Sequence, residues 1–375
     1  MNPTPANSKA ESRTSLVLIT VFFTLLWLPT LDTFLHVDRT PAYNENRLLA
    51  RFPQSAVPGG PKKYIAGLEI YFNDHFGFRN RLLHWHNRWK YALFGSGSGS
   101  GVIIGKDDWL FYADDQMVDH YRGVRQFTSQ NLQDWATLLE HRRDWLARQH
   151  IKYIFVVAPD KQSVYSEQLP DWLTKVRPDT ELDQFLAYMR AHSTVEVLDL
   201  RPALREARRI APTYLKTDTH WNNFGGFVAS QEIVKVLSKQ LPGFEPLSLS
   251  SFERQDRLMP GGDLANLLGL DISEIAENNA IFFIPKSDLP PLKFDVDSTT
   301  NPGAQGTMIV FDDSFGGAMK PFLGCYFNKV VYSGQYELNT GLIQRHMPSV
   351  VVSEIVERHF NLQNPRELMA KENSE

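Results

Sequence analysis

The chain has 375 residues, of which 42% are hydrophobic and 22% charged, and its formal net charge is −4. A chain of this length buries a large core, and its weak negative charge gives no basis for a nucleic-acid partner. The single cysteine, Cys325, excludes an intramolecular disulfide and metal sites built from paired cysteines. We interpret Cys325 as a small hydrophobic residue rather than a nucleophile.

The first predicted element is an apolar segment near the N-terminus. Residues 15–31 read SLVLITVFFTLLWLPTL and carry no charge, and with the flank to Leu35 the segment approaches the thickness of a bilayer core. Lys9 and Arg13 precede it, which favours a cytoplasmic N-terminus. Because no small-residue cleavage pattern follows, we expect residues 1–37 to be a cytoplasmic tail and an uncleaved signal anchor. A cleaved signal peptide and a buried core helix are the alternatives.

The segments that follow lead into the predicted folded domain. Residues 38–63 are rich in Pro, Gly and Arg and are predicted to be a linker. Residues 66–95 predict two helical pieces with a break near the middle, at a Phe-Gly pair. Residues 95–101, GSGSGSG, predict a flexible connector, and residues 101–115 a short hairpin with a Lys-Asp-Asp turn.

From about Gln130 the pattern alternates between helix and strand. The predicted order is helix 132–149, strand 152–159, helix 183–193, strand 195–200, helix 224–240, a strand, turn and helix over 306–323, and two further strand segments at 328–334 and 348–359. Such alternation predicts an α/β fold with a mostly parallel sheet flanked by helices and right-handed crossovers. Within a domain over 64–360, residues 250–301 are predicted to be a long insertion, and residues 361–375 a polar C-terminal tail.

Ser314 lies at a predicted strand-to-helix turn. Ligands of open α/β sheets bind at the carboxyl ends of the strands, so this position is a candidate for chemistry. The N–H groups and the positive dipole end of the helix would stabilise an oxyanion beside the hydroxyl. We expect the backbone N–H groups of Ser314 and Gly316 to serve as oxyanion donors, and glycine allows close approach there. The alternative is that Ser314 or Asp313 only caps the helix.

A serine nucleophile needs a base, and the pair Asp218 and His220 offers one. Residues two apart in an extended segment project to the same side. The carboxylate of Asp218 can then accept the Nδ1–H of His220 and leave Nε2 free to take the serine proton. The alternatives are a histidine that caps the following helix and a metal-ligand pair, although no third ligand lies nearby in the sequence.

Several motifs of the chain together resemble one protein family. They are YFNDHFGFRNRL, VIIGKDDWLFY, VVAPDKQSVYSEQLP, DTHWNNFGG, GGDLANLLGL and FDDSFGG, within about residues 64–355. On these motifs the chain resembles the alginate O-acetylation proteins, which are SGNH-hydrolase-like acetyltransferases of the bacterial periplasm. The resemblance implies an SGNH-hydrolase-like fold with a circularly permuted motif order, in which the histidine block precedes the serine block. It also implies a triad of Ser314, His220 and Asp218.

The resemblance further implies a function and a location. The expected reaction is acetyl transfer, through an acetyl-serine intermediate, to hydroxyls of an exopolysaccharide such as alginate, with no cofactor and no metal. The implied partners are the polysaccharide acceptor, a membrane-bound O-acyltransferase that delivers acetyl groups, and other exopolysaccharide-modification proteins. The domain would face the periplasm from the bacterial inner membrane. An acetyl esterase with the same triad and a non-catalytic subunit of an acetylation complex are the alternatives.

Two features depart from the usual SGNH pattern. Asp312 stands where a glycine normally precedes the Asp-Ser pair, and the Gly and Asn blocks that supply the oxyanion hole have no clear counterpart. Lys161 follows the predicted strand 152–159 and is expected to contact substrate, with a helix or loop cap as the alternative. Arg201, Asn222 and Tyr332 are expected to line the site, with a core or surface role as the alternative for each. Trp221, with Asn222, is expected to shape or support the site.

Overall fold

The computed structural model describes residues 5–40, 48–54, 60–94, 101–114, 116–241, 243–269 and 276–372. Parts of the predicted linker and most of the predicted GSGSGSG connector lie outside these residues. The chain divides into two compact units, one of residues 1–98 with 266–271 and one of residues 99–265 with 272–375. This division differs from the predicted domain start at residue 64, because the two helices before residue 95 group with the N-terminal segment.

The N-terminal unit contains three helices, α1 (Pro5–Leu35), α2 (Gly60–His75) and α3 (Arg79–Phe94). Within α1, the 23 residues Arg13–Leu35 have a mean hydropathy of 2.0 and are long and apolar enough to cross a membrane. None of the most apolar 18-residue part of this stretch is buried, which contradicts the alternative of a core helix. The predicted break between the next two helices is confirmed, and it falls at Phe78, whose φ is 60°.

The second unit begins with a hairpin and continues as alternating helices and strands. Its strands are β1 (Val102–Ile104), β2 (Leu110–Tyr112), β3 (Lys152–Ala158), β4 (Val197–Asp199), β5 (Phe252–Pro260), β6 (Ala276–Pro285), β7 (Lys293–Phe294), β8 (Ser298–Thr300), β9 (Thr307–Phe311), β10 (Lys329–Tyr332) and β11 (Val350–Val356). Its helices are α4 (Met117–Arg122), α5 (Ser129–Ala147), α6 (Lys161–Val164), α7 (Glu181–His192), α8 (Arg201–Ala207), α9 (Asn223–Ser238), α10 (Asp263–Leu267), α11 (Lys320–Leu323), α12 (Thr340–His346), α13 (Glu357–Leu362) and α14 (Pro365–Glu372). The predicted hairpin is confirmed, since β1 and β2 pair antiparallel around a turn at Lys106–Asp108.

The central sheet has seven strands in the order β4-β3-β11-β9-β10-β8-β7. The first five are parallel, which confirms the predicted mostly parallel sheet, and β8 and β7 extend one edge antiparallel. Both antiparallel strands, β7 and β8, come from residues 250–301. That segment is therefore more than a looped insertion, since it completes the sheet and also forms the long β5–β6 hairpin.

Helices cover both faces of this sheet. Along β3, Ile154 and Val156 pack on the side of α6, α8 and α9, whereas Phe155 and Val157 pack on the side of α5, α7 and α12 to α14. Because both faces are buried, the parallel strands are continuous apolar runs rather than alternating ones.

The C-terminal residues do not form a free polar tail. Helix α14 packs on α5, with Leu368 buried. The guanidinium of Arg142 donates from Nε to Glu372 at 3.0 Å, and both side chains are almost completely buried. Helix α14 is therefore packed into the second unit through Pro365, Leu368 and Glu372, which are buried.

The parallel strands place one reactive segment at their carboxyl edge. Strand β9 lies between β11 and β10 and ends at Phe311. After two aspartates, Ser314–Met319 form a 3-10 turn that leads into α11. The predicted strand, turn and helix is confirmed, with Ser314 as the first residue of the turn.

Candidate active site

The turn that carries Ser314 is held by the carboxylate of Asp313. Its Oδ1 accepts the N–H of Phe315 at 2.9 Å and so caps the turn. Its Oδ2 accepts the hydroxyl of Tyr336 at 2.7 Å and the N–H of Val356 at 2.9 Å. Asp313 thus has a structural role, and Ser314 is left exposed at the surface.

The segment that carries Asp218 and His220 is a tight loop before α9. Its two ends are joined by a β-bridge between Tyr214 and Trp221, and the N–H of Leu215 donates to the carbonyl of His220 at 3.2 Å. Closing the ends in this way places residues 216–219 at the tip of the loop.

The two segments meet at three side chains that the sequence had singled out. His220 Nδ1 lies 2.6 Å from Asp218 Oδ1, and His220 Nε2 lies 2.7 Å from the Oγ of Ser314. The backbone N–H of His220 also donates to Asp218 Oδ1, at 3.0 Å. A carboxylate on Nδ1 favours the tautomer that carries a proton there, so Nε2 is free to accept the hydroxyl proton of Ser314.

Asp218 is held in its charged form. Burial raises the pKa of this carboxyl, but the hydrogen bond and charge of His220 and the backbone N–H groups of Asp263 and His220 outweigh burial and lower the pKa to about 2. The group is therefore an anion at any pH near neutrality. It can orient the imidazole and stabilise its positive charge when His220 takes a proton.

A residue of the 250–301 segment completes this arrangement. The N–H of Asp263 donates to Asp218 Oδ2 at 3.0 Å, and Asp263 in turn accepts the N–H and the hydroxyl of Thr219 at 2.7 and 2.6 Å. Gly262 allows this approach, because a Cβ at that position would lie 2.4 Å from the Cβ of Asp218. The motif GGDLANLLGL thus braces the loop of the base.

Asp263 also provides the third ligand that the sequence around Asp218 and His220 lacked. One ligand atom from each of the three residues lies within 4.8 Å of the other two. Asp218 Oδ1, His220 Nδ1 and both carboxylate oxygens of Asp263 already take part in hydrogen bonds. His220 Nδ1 is 3.8 Å from Asp263 Oδ2. A cation bound by these three residues would therefore compete with the hydrogen bonds of the site.

Lys161 contacts the base loop rather than the open side of the site. Its Nζ donates to the carbonyls of Leu215, Lys216 and Asp218 at 2.9, 3.2 and 2.6 Å. Burial lowers the pKa of Lys161 to about 7, although the carboxylates of Asp218, Glu277 and Asp263 act in the opposite direction. An ammonium has three N–H donors, which matches the three carbonyl acceptors.

The expected oxyanion donors differ in their availability. The N–H of Gly316 donates to the carbonyl of Asp313 at 3.2 Å, so it is already used inside the turn. The N–H of Ser314 opens the turn, where the first N–H groups have no partner within the turn itself. The geometry therefore favours the N–H of Ser314, rather than that of Gly316, as the donor to the oxyanion.

Gly316 has a different role, in contact with the unusual Asp312. A Cβ at Gly316 would lie 1.9 Å from Asp312 Oδ2, so only glycine fits beside this carboxyl group. Burial raises the pKa of Asp312 to about 6, with the charge of Asp313 adding to it and the N–H of Gly334 opposing it. The aspartate that replaces the usual glycine of the motif is therefore buried beneath the serine turn.

Trp221 and Asn222 support the site from within. The indole N–H of Trp221 donates to the carbonyl of Phe315 at 3.0 Å, which ties the base loop to the serine turn. Asn222 caps α9 by accepting the N–H of Gly225 at 3.0 Å, and its amide donates to the carbonyls of Pro212 and Asn279. Both side chains are buried, so these contacts favour support over substrate binding.

Among the described residues, no hydrogen bond or ion pair joins Arg201 or Tyr332 to Ser314, His220 or Asp218. Arg201 forms ion pairs with Asp199 and Asp183 at 2.9 Å each, beside α8. Tyr332 is buried, and its hydroxyl has no hydrogen-bond partner among the residues that the structure describes. It lines a pocket of about 280 Å³ with Arg345 and other polar residues.

Cys325 behaves as the sequence predicts. It is half-buried, and burial raises the pKa of its thiol to about 11. A thiol of this kind carries almost no thiolate near neutral pH, so it is a poor nucleophile.

Comparison with known proteins shows what this part of the chain is similar to. Residues 102–280 match the family model described as "SGNH hydrolase-like domain, acetyltransferase AlgX". The matched part contains Asp218, His220 and Asp263. Ser314 lies beyond the matched part, and its hydrogen bond with His220 Nε2 joins it to the site.

The chain is also similar to curated proteins. It is 32% identical over 186 residues to a probable alginate O-acetylase AlgJ of Pseudomonas putida, covering 48% of this chain and 45% of the relative. It is 26% identical over 216 residues to the protein of the same description from Azotobacter vinelandii, covering 56% and 52%. The chain spans about half the length of the curated relatives that it matches.

Solved structures are similar to this chain in their fold. Bacillus cereus PatB1 matches with a TM-score of 0.51 and 16% identity, over 70% of this chain and 97% of that one. A DHHW family protein from Eubacterium siraeum matches with a TM-score of 0.53 and 13% identity, over 73% and 96%. At these identities the likeness concerns the fold alone.

Proposed function

We propose that this protein is a polysaccharide O-acetyltransferase that uses Ser314 as nucleophile, His220 as general base and acid, and Asp218 as the group that orients His220. The main support for this proposal is the position of the His220 ring. The two ring nitrogens of His220 lie 2.6 Å from a carboxylate and 2.7 Å from a serine hydroxyl at the carboxyl edge of an α/β sheet. This is the hydrogen-bond relay that activates a serine for acyl transfer.

The first half of the reaction forms an ester on the enzyme. His220 Nε2 takes the proton of Ser314 as Oγ attacks the carbonyl carbon of an acetyl donor. The oxyanion that forms is stabilised by the N–H of Ser314 at the start of the 3-10 turn. Collapse expels the donor's leaving oxygen, which takes the proton from His220, and the acetyl group remains on Ser314.

The second half transfers the acetyl group to a sugar. His220 removes the proton of a sugar hydroxyl, whose oxygen attacks the acetyl-serine. Ser314 Oγ then leaves and recovers the proton from His220. No metal and no cofactor take part in the proposed steps.

The proposed acceptor is an exopolysaccharide, alginate or a polymer similar to it. Support comes from the homologues, which are described as probable alginate O-acetylases. The domain match to an acetyltransferase supports the same reaction type.

The proposed location is the periplasmic side of the bacterial inner membrane. α1 would act as an uncleaved single-pass anchor with Lys9 and Arg13 on the cytoplasmic side. The proposed partners are a membrane-bound O-acyltransferase that supplies acetyl groups and other exopolysaccharide-modification proteins. The acetylation domain, predicted over 64–360, would follow the linker of residues 38–63.

The test uses an activated acetyl ester as donor and an oligosaccharide of the candidate polymer as acceptor. We expect mass spectrometry to find an acetyl group on Ser314, and the acceptor to gain acetyl esters faster than free acetate appears. Because Ser314 is exposed, water competes with the sugar hydroxyl for the acetyl group. Acetate release alone would indicate an esterase, and an unmodified Ser314 without transfer would indicate a non-catalytic subunit.

A further inference from the structure

The end of the apolar helix α1 is joined to the corner between α2 and α3. The N–H of Phe78 donates to Asp32 Oδ2 at 3.0 Å, and the N–H of Gly77 donates to Thr33 Oγ1 at 3.1 Å. Asp32 is only 7% exposed. The polar groups of the last helical turns of α1 are therefore used to hold this corner.

The chain that leaves α1 strengthens the same junction. The N–H of Asp38 donates to Asp32 Oδ1 at 2.8 Å. Asp38 Oδ1 in turn forms an ion pair with Arg81 at 2.8 Å, in the first turn of α3. The start of α3 is thus fixed to the end of α1 by both backbone and side-chain contacts.

If α1 crosses a bilayer, these contacts fix the level of the corner between α2 and α3 relative to the membrane surface. Asp32 and Thr33 lie in the last turn of the stretch Arg13–Leu35, which is 23 residues long. At 1.5 Å per residue that stretch is about as long as a hydrocarbon core is thick, so its last turn reaches the headgroup region. The first residues of α3 would then lie at the same level.

Helix α3 exposes an apolar stripe along one side. Leu82, Trp85 and Trp89 are 51%, 66% and 60% exposed. At 100° per residue the three positions fall within an arc of about 60°, so they form one continuous line. Large exposed apolar side chains in a line mark an interaction surface rather than a solvated face.

Cations border this stripe on both sides. By the same helical spacing, Lys90 lies on one side of the stripe, and Arg81 and Arg88 lie on the other. The sequence of α3 contains no Asp or Glu. Tryptophan at the apolar boundary and arginine or lysine beside it are the composition of helices that lie in a membrane interface.

We propose that α3 lies in the headgroup region of the bilayer that α1 crosses, with Leu82, Trp85 and Trp89 toward the acyl chains and the flanking cations among anionic headgroups. The inference requires α1 to span a membrane and is independent of the acetylation reaction. The lipid surface would then hold the N-terminal unit by two elements rather than by a single helix.

The test places an environment-sensitive fluorophore on the stripe of the full-length chain. Cys325→Ser removes the single cysteine, and Trp85→Cys then allows labelling with NBD. The matched control is Trp172→Cys, because Trp172 of the second unit is 67% exposed, against 66% for Trp85. Both chains are reconstituted into vesicles of phosphatidylcholine and phosphatidylglycerol, with and without lipids that carry a doxyl quencher near the headgroup.

We expect NBD at position 85 to emit at shorter wavelength and to lose at least half of its intensity with the doxyl lipid, while NBD at 172 stays unquenched. Labelling at Trp89→Cys should repeat the result for 85. Equal quenching at 85 and 172, or none at 85, would overturn the proposal. A blue shift that persists in detergent and grows with protein concentration would also overturn it, because the stripe would then pack on a second copy.

Discussion

His220 Nε2 lies 2.7 Å from Ser314 Oγ, although 94 positions of the chain separate the two residues. The contact depends on two independent supports. The capped 3-10 turn after β9 fixes the hydroxyl, and the bridged loop before α9 fixes the imidazole. Substitutions at Ser314 and His220 therefore test the proposed chemistry directly.

Removing any of the three side chains should abolish most of the acetyl transfer. We expect Ser314→Ala and His220→Ala to lower kcat by about a thousand-fold or more, because the nucleophile or its base is missing. Asp218→Asn should also cause a large loss, since an amide no longer favours the Nδ1–H tautomer. Initial rates with an acetyl ester donor measure the effect. Full activity in all three variants would refute the catalytic assignment.

Replacement of Gly316 should be far more harmful than replacement of its neighbour Gly317. A Cβ at 316 would lie 1.9 Å from Asp312 Oδ2, whereas a Cβ at 317 would meet no described atom within 4 Å. We expect Gly316→Ala to lower the free energy of unfolding by about 1–3 kcal/mol through overpacking. Gly317→Ala is the matched control and should leave thermal unfolding nearly unchanged. Equal effects would mean that the Asp312 contact is not tight.

Lys161→Met should reduce turnover without weakening substrate binding. The change leaves the carbonyls of Leu215, Lys216 and Asp218 without their shared donor, so the base loop loses its fixed position. We expect kcat to fall about 10- to 100-fold, with KM for the acetyl donor unchanged. Lys161→Arg should restore only part of the rate, because a planar guanidinium cannot reach the same three oxygens. A raised KM with unchanged kcat would instead support the predicted substrate contact.

Asp312 should give the stability of the protein a particular pH dependence. Burial raises the pKa of this carboxyl to about 6 in the folded chain, above an ordinary value of 3.8. Between these values the folded state holds a proton that the unfolded state has lost, so stability falls as the pH rises through this window and stays lower above it. The side chain of the Asp312→Asn variant cannot ionise, so this contribution to the pH dependence of stability is absent.

The measurement is the melting temperature of both proteins between pH 4 and 7.5. Relative to Asp312→Asn, the unsubstituted chain should lose about 2–4 °C as the pH rises from 4 to 7. A constant difference between the two proteins across this range would show that Asp312 does not carry a proton in the folded state.

A chelator should leave the reaction unchanged. The proposed steps use the nitrogen and oxygen atoms of Asp218 and His220 for hydrogen bonds, so a cation on them would compete with proton transfer. We expect equal initial rates before and after treatment with EDTA. Loss of activity that a divalent cation restores would assign Asp218, His220 and Asp263 to a metal instead.

The sequence predicts the sheet better than it predicts the support of the site. Strands β3, β9 and β11 are buried on both faces, and their continuous apolar runs make them easy to recognise. Strands β7 and β8 have two and three residues and partly polar sequences, so no periodicity distinguishes them from the loops around them.

The roles of individual polar residues depend on tertiary contacts that spacing does not reveal. Asp263 reaches Asp218 across 45 positions, and only the fold of the 250–301 segment brings them together. Lys161 follows the predicted strand 152–159, and in the structure it lies three residues after the end of β3. Whether its ammonium faces a substrate or the carbonyls of a neighbouring loop is decided by the path of that loop, which the sequence does not specify.

The indole of Trp221 and the carbonyl of Phe315 join the two halves of the site through atoms that take no part in the proposed chemistry. Substituting Ser314 or His220 therefore leaves this tether intact. A Ser314→Ala chain should keep the arrangement of the site while losing the ability to turn over. It would be a suitable variant for crystallising the protein with an uncleaved acetyl donor of the proposed reaction.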